Sequence, residues 1–189
     1  SIIASIRFDE AMRTKQYATA QGILDNAAKT DLNPTEIKFM QGQLAVAQNR
    51  PPEAITALNL ALTERPQSSE GWTLLGTAYR MSGDLRNAET SLVKALELKR
   101  DNLAALQGAF VTYDTMQQRE KALEALRQAA YFTAGRNQDL FNLYLNYLGQ
   151  FGDKRQALAI RRNLTAQMPG NNDNLRATAQ LLLDLNEVD

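Results

Sequence analysis

Apolar residues recur along this chain at intervals of three and four, in blocks of about 12 to 15 residues separated by short polar turns. The clearest pair of blocks places Trp72, Leu75 and Tyr79 on one stripe. After the turn Ser82-Gly83-Asp84, a second stripe carries Leu85, Ala88, Leu92, Ala95 and Leu96. This spacing predicts two helices joined by a tight turn. Gly83 stands where a left-handed C-terminal cap is expected, and Gly152 occupies the matching turn farther along. Asn33-Pro34-Thr35-Glu36 combines a capping side chain, a first-turn proline and a glutamate at capping-box spacing. Pro51-Pro52-Glu53 opens the next helix, and Pro66 and Pro169 terminate helices. No strand-like alternation competes, so the predicted class is all-α.

A shift of 34 residues aligns the chain with itself. Ala20, Ala54, Ala88 and Ala122 form one column, Leu24, Leu58, Leu92 and Leu126 a second, and Ala27, Ala61, Ala95 and Ala129 a third. A fifth copy follows one residue late, with Ala157 and Leu164 in the outer columns and Arg161 in the leucine column. A one-residue insertion near Phe151 and Gly152 accounts for the slip.

The pattern of Trp72, Leu75, Gly76, Tyr79, Ala88, Leu92 and Ala95 resembles the tetratricopeptide repeat. Gly42, Ala45, Ala54, Leu58, Ala61 and Pro66 match it one period earlier. The fourth copy keeps Leu106, Tyr113, Ala122, Leu126 and Ala129, and the fifth keeps Leu140, Leu143, Tyr147, Ala157 and Pro169. Leu175, Ala179 and Leu182 resemble the first helix of a sixth copy. In the first copy Ile2, Ile3, Ile6 and Phe8 are apolar, but Arg7 falls where leucine is usual. The small-residue column of Gly42 and Gly76 becomes Phe8, Phe110 and Tyr144 elsewhere, which predicts wider or differently tilted helix pairs there.

The resemblance implies a right-handed superhelical solenoid of antiparallel helix pairs, about five pairs plus a terminal helix. The expected repeats are 1–34, 35–68, 69–102, 103–136 and 137–171, with a final helix at 172–186, all in a single array of 1–189. A two-helix unit cannot bury its apolar face alone, so neighbours must stack. Asn171, Asn172, Asp173, Asn174, Arg176 and Gln180 give the last helix the polarity of a solvated cap.

Composition narrows the chemistry. Lysine plus arginine equals aspartate plus glutamate at 21 each, so no global field draws the chain to nucleic acid or anionic membrane. Cysteine and histidine are both absent, which removes disulfides, thiolate catalysis, histidine-based triads and most transition-metal sites. No apolar run approaches the roughly 20 residues that span a bilayer. Beginning at Ser1 rather than methionine, the chain reads as a processed or excised segment, and its localisation stays open.

Other candidate sites favour ordinary structural roles. Ser68, Ser69, Ser82 and Ser91 sit at helix ends or on helices without a histidine partner. Glu120 and Glu124, one helical turn apart beside Lys121 and Arg127, read as a solvated charged face. Lys99-Arg100 and Arg161-Arg162 are isolated pairs rather than a basic stripe and read as solubility features, so nucleic-acid binding is not expected. Trp72, Tyr79, Tyr113 and Tyr147 fall in packing columns and are expected in the core. No catalytic residue, cofactor or metal site is expected.

Projected onto the family pattern, the first helices present Phe39, Gln43 and Val46, then Thr73, Thr77 and Arg80, to a concave groove. Gln107, Val111 and Asp114 follow, then Phe141 and Leu145, with Arg176 at the far end. Phe39, Val46, Val111, Phe141 and Leu145 are the candidate apolar anchors for a peptide or helix from a protein partner. Chaperone-binding members of the family hold a carboxylate with lysine, asparagine and arginine. The matching positions here carry Ser5 and Asp9, Phe39 and Gln43, and Thr73 and Thr77, so that clamp is not expected. The reading is a non-catalytic interaction scaffold; a regulatory or substrate-presenting part of a larger enzyme or membrane-associated assembly is the alternative. Self-association through the terminal helices stays open.

Overall fold

The computed structural model describes residues 2–27, 32–133 and 136–186. Among them run α1 (Ile2–Arg13), α2 (Tyr17–Asp25), α3 (Pro34–Ala47), α4 (Pro51–Glu64), α5 (Ser69–Met81) and α6 (Leu85–Leu98). Then come α7 (Leu103–Thr115), α8 (Arg119–Phe132), α9 (Gln138–Phe151), α10 (Lys154–Gln167) and α11 (Asn172–Leu185). No described residue lies in a strand.

Helix starts follow the local chemistry. The Asn33 side chain accepts from the Thr35 amide at 2.8 Å ahead of Pro34, and Ser68 does so from Gly71 at 3.0 Å. Asp84, Asn137, Asp153 and Asn171 cap α6, α9, α10 and α11 in the same way. Each cap satisfies an amide that would otherwise have no helical partner. Pro51 and Pro52 occupy the first turn of α4, while α4 and α10 end just before Pro66 and Pro169.

The chain forms two compact units, one ending at Thr112 and the other beginning at Tyr113. In the first, α1 packs on α2, α3 on α4 and α5 on α6, with α4 also against α5. In the second, α8 packs on α9, α9 on α10 and α10 on α11. The repeat columns supply the interior: Ala20, Ala54, Ala88, Ala122 and Ala157 are all fully buried, as are Leu58 and Leu126. Burying one such leucine contributes about 2 kcal/mol.

Gly76 lies where α5 crosses α6. A Cβ there would stand 2.6 Å from Leu92 Cγ and 3.2 Å from the Ala88 carbonyl oxygen. Gly42 repeats the arrangement against Leu58 Cγ at 2.5 Å. These close approaches explain glycine within a helix despite its intrinsic cost of roughly 1 kcal/mol.

Several expectations change. Gly83 is left-handed at φ 82°, as its place in the turn predicts, but Gly152 has φ −121°. What Gly152 supplies is space, since a Cβ would meet Leu123 Cδ2 and Leu148 Cδ1, each at 2.9 Å. The left-handed turns recur instead at Lys15, Asn49 and Gln117, in register with Gly83. In α1, Phe8 and Ala11 are the buried residues, whereas Ile2, Ile3 and Ile6 are 78%, 70% and 58% exposed. In α11 the inward positions are Asn174, Thr178 and Leu181, one residue ahead of the predicted Leu175, Ala179 and Leu182.

Candidate functional site

The α3 residues Phe39, Gln43 and Val46 are spaced along one helical face and are half-buried. Gln43 Nε2 donates to Glu70 Oε1 at 3.2 Å, tying this face to the start of α5. Arg65 pairs with Glu36 at 2.5 Å. Between these groups lies a cleft of about 210 Å³, with Phe39, Glu36, Arg65 and Glu70 on its walls.

On α5, Thr77 and Arg80 are half-buried but Thr73 is buried. The Thr73 hydroxyl donates to the Ser69 carbonyl at 2.8 Å and accepts from Asn102 Nδ2 at 2.9 Å, so its polarity is consumed inside the fold. Sequence spacing gives no sign of this, because Asn102 lies in the turn after α6. On α7, Gln107 and Val111 are exposed in the first unit.

The second unit holds the remaining predicted positions. Asp114 accepts from the Tyr147 hydroxyl at 2.8 Å and pairs with Arg119, whose guanidinium lies 4.3 Å from the Phe151 ring centre. Burial pushes the Tyr147 phenol up, with opposing contributions from Arg119 and Asp114. Phe141 is half-buried beside Tyr144, Arg176 is exposed, and Leu145 is fully buried.

Arg161 departs most from its sequence reading. It is only 2% exposed, so it is no solubility feature. Its Nη1 donates to Asn174 Oδ1 at 3.0 Å and its Nη2 to Asn146 Oδ1 at 2.8 Å. Burial holds its guanidinium pKa below the ordinary arginine range. Asn174, expected on a solvated cap, is buried because it serves this guanidinium and also donates to Thr165 Oγ1 at 2.7 Å.

Sequence reasoning also passed over a larger cleft, of about 490 Å³, between α2, α3 and α4. Leu24, Lys38, Gln41 and Leu60 are among its lining residues, and none of the predicted groove positions reaches it. Leu60, 53% exposed on α4, is the signal that marks it.

The serines behave as caps or backbone-bonded groups: Ser69 donates to Ala95, Ser82 to Tyr79 and Ser91 to Asn87. Glu124 binds Arg127 and Gln128 on the surface of α8. Among the described residues no cluster of three acidic groups could hold a metal ion, and no helix is long and apolar enough to cross a membrane.

The tetratricopeptide-repeat family profile matches residues 69–102, the α5–α6 pair with Gly76 at its crossing. The chain carries a tetratricopeptide repeat. Solved structures extend the likeness of fold to nearly all of this chain. PilW, a widely conserved type IV pilus biogenesis factor, superposes with a TM-score of 0.74 at 18% identity, over 96% of this chain and 82% of its own. MamA does so at 0.67 and 18% identity, over 100% of this chain and 94% of its own. A thermophilic tetratricopeptide-repeat protein of Thermus thermophilus gives 0.63 at 18% identity, covering 93% of this chain and 95% of its own. Among curated sequences, heat shock protein STI1 of Saccharomyces cerevisiae is 28% identical over 111 residues, 58% of this chain and 19% of STI1. The PEX5-related protein of Rattus norvegicus is 28% identical over 89 residues, 47% of this chain and 15% of that protein. The chain therefore spans less than a fifth of the length of these curated relatives.

Proposed function

We propose that the chain is a non-catalytic scaffold that captures a polypeptide segment on the first-helix face of its first unit. The observation that carries this reading is the half-buried Phe39 at the wall of a polar-rimmed cleft, with Val46 on the same helical face. Apolar anchors of this kind supply affinity by leaving water, while Gln43, Thr77 and Arg80 offer polar groups that set register. In the second unit Phe141 is the corresponding anchor. Association costs consume much of the gross burial energy, so a few anchors decide the outcome.

The test is a peptide library displayed against the full chain, followed by affinity measurements on the selected sequences. Phe39→Ala is expected to weaken them about tenfold or more, as loss of a central anchor does. Leu60→Ala, in the larger cleft, should leave them unchanged. The reverse pattern would refute the placement.

The small share of STI1 and of the PEX5-related protein that the chain spans favours a second reading. In it, the array presents substrates to a catalytic or membrane-associated segment of a longer polypeptide. Expression of the complete reading frame, with and without 1–189, tests it: activity independent of the array would exclude this role.

A further inference from the structure

A buried guanidinium is normally matched by a carboxylate, because an unpaired charge removed from water is costly. Arg161 lacks that match. Both of its hydrogen-bond partners, Asn146 and Asn174, are neutral amides, and no described carboxylate pairs with it. Two contacts leave donor capacity on a group with five N–H bonds. The side chain is nonetheless held firmly. Asn174 is fixed by its own bonds to the Arg161 carbonyl at 3.1 Å and to Thr165, and Asn146 reaches in from α9.

The guanidinium also lines a cleft of about 240 Å³ formed by α9, α10 and α11. Asn146, Gln150 and Gln180 add amides to its wall, and Leu181 adds apolar surface. The other cation there, Lys154, is already neutralised by Asp184 at 3.3 Å. The positive charge without a counterpart in this cleft is therefore that of Arg161.

We propose that this cleft binds a carboxylate, with Arg161 donating to its oxygens and the surrounding amides completing the contacts. A planar guanidinium matches a planar carboxylate in two parallel hydrogen bonds, which a neutral amide cannot reproduce with equal strength. The ligand is an acidic side chain of a captured polypeptide or a free organic acid, since both present the same group. The polypeptide source rests on the scaffold reading above; the carboxylate site itself does not.

The experiment titrates the nitrogen-15-labelled full chain and follows the arginine Nε–Hε cross-peaks by NMR, the Arg161 peak being identified by its loss in Arg161→Leu. The probes are sodium acetate, a terminally blocked tetrapeptide containing one glutamate, its glutamine counterpart, and sodium phosphate, each against sodium chloride at equal ionic strength. A saturable shift of the Arg161 peak with acetate and with the glutamate peptide, absent with the glutamine peptide, is the expected result. Tenfold tighter binding of the glutamate peptide than of acetate assigns a polypeptide source, and equal binding assigns a free acid; both outcomes support the site. No shift beyond that of chloride, or tighter binding of phosphate than of acetate, overturns it. The readout is taken on the unmutated chain and needs no partner, so it fails or succeeds independently of the Phe39 test.

Discussion

Asn49 and Gly83 stand one repeat apart and share a left-handed backbone, with φ of 57° and 82°. Each ends a first helix in the same paired way. Asn49 N donates to Val46 O and Arg50 N to Ala45 O, just as Gly83 N donates to Arg80 O and Asp84 N to Tyr79 O. Lys15 at 58° and Gln117 at 61° close the two flanking copies identically. The turn recurs in geometry but not in residue, because hydrogen bonding and helix packing impose a conformation that only glycine adopts freely.

Replacing Lys15 or Gln117 by glycine should therefore stabilise the chain by about 0.5–1 kcal/mol, the relieved strain exceeding the added unfolded-state entropy. Asn49→Gly should gain less, because asparagine tolerates this region. Denaturant midpoints at constant slope measure the effect. A loss of stability at Lys15 and Gln117 would show that their side chains contribute more than the strain costs.

Gly76 and Gly22 give a contrasting pair. Gly76→Leu overpacks the α5–α6 crossing and should cost on the order of 1–3 kcal/mol, since Leu92 must move from a filled core. Gly22, inside α2, has nothing within 4 Å of the place a Cβ would take, so Gly22→Ala should stabilise by about 0.5–1 kcal/mol. Thermal melts of both variants check the contrast; a melt of Gly76→Leu at or above the parent would contradict the close approach.

Asn174→Leu removes one acceptor from Arg161 and leaves a buried charge held from one side. It should destabilise the second unit by about 2 kcal/mol, the scale of a hydrogen bond to a charged group. Arg161→Leu restores the apolar residue of the repeat column and removes the desolvation cost, so it should be neutral or stabilising. Chemical denaturation compares the two. Equal destabilisation by both would show that the polar network itself holds α11 in place.

Asp84 and Asp184 set an acid limit. The Asn87 side chain and amide hold the Asp84 carboxyl below its ordinary 3.8, and Gln180 and Lys154 do so for Asp184. A depressed folded-state pKa contributes stability above the unfolded value, and that contribution is lost as pH falls through the folded one. Melting temperature should therefore fall below about pH 4, and less steeply in Asp84→Asn. Parallel acid limbs would remove Asp84 from the explanation.

The interior of the first unit was legible because its signal is periodic. Ala54, Leu58 and Ala61 recur as Ala88, Leu92 and Ala95, and all six are buried. Legibility failed where a polar partner comes from another helix. Arg161 occupies a leucine column yet is buried with Asn146 and Asn174 as its hydrogen-bond partners, and α11 turns inward one residue ahead of its expected phase. Thr73 is lost to the surface through Asn102, and Asp114 is engaged by Arg119 and Tyr147. Helical spacing reports which side of a helix a residue occupies, whereas burial also depends on what the neighbouring element brings.

Capture of a polypeptide on the first-helix face of the first unit is tested most directly by NMR shift mapping of the full chain with a library-selected peptide. The expected perturbations gather on Phe39, Gln43, Val46, Thr77, Arg80 and Val111. Perturbations confined instead to Leu24, Lys38, Gln41 and Leu60, around the larger cleft, would contradict the account.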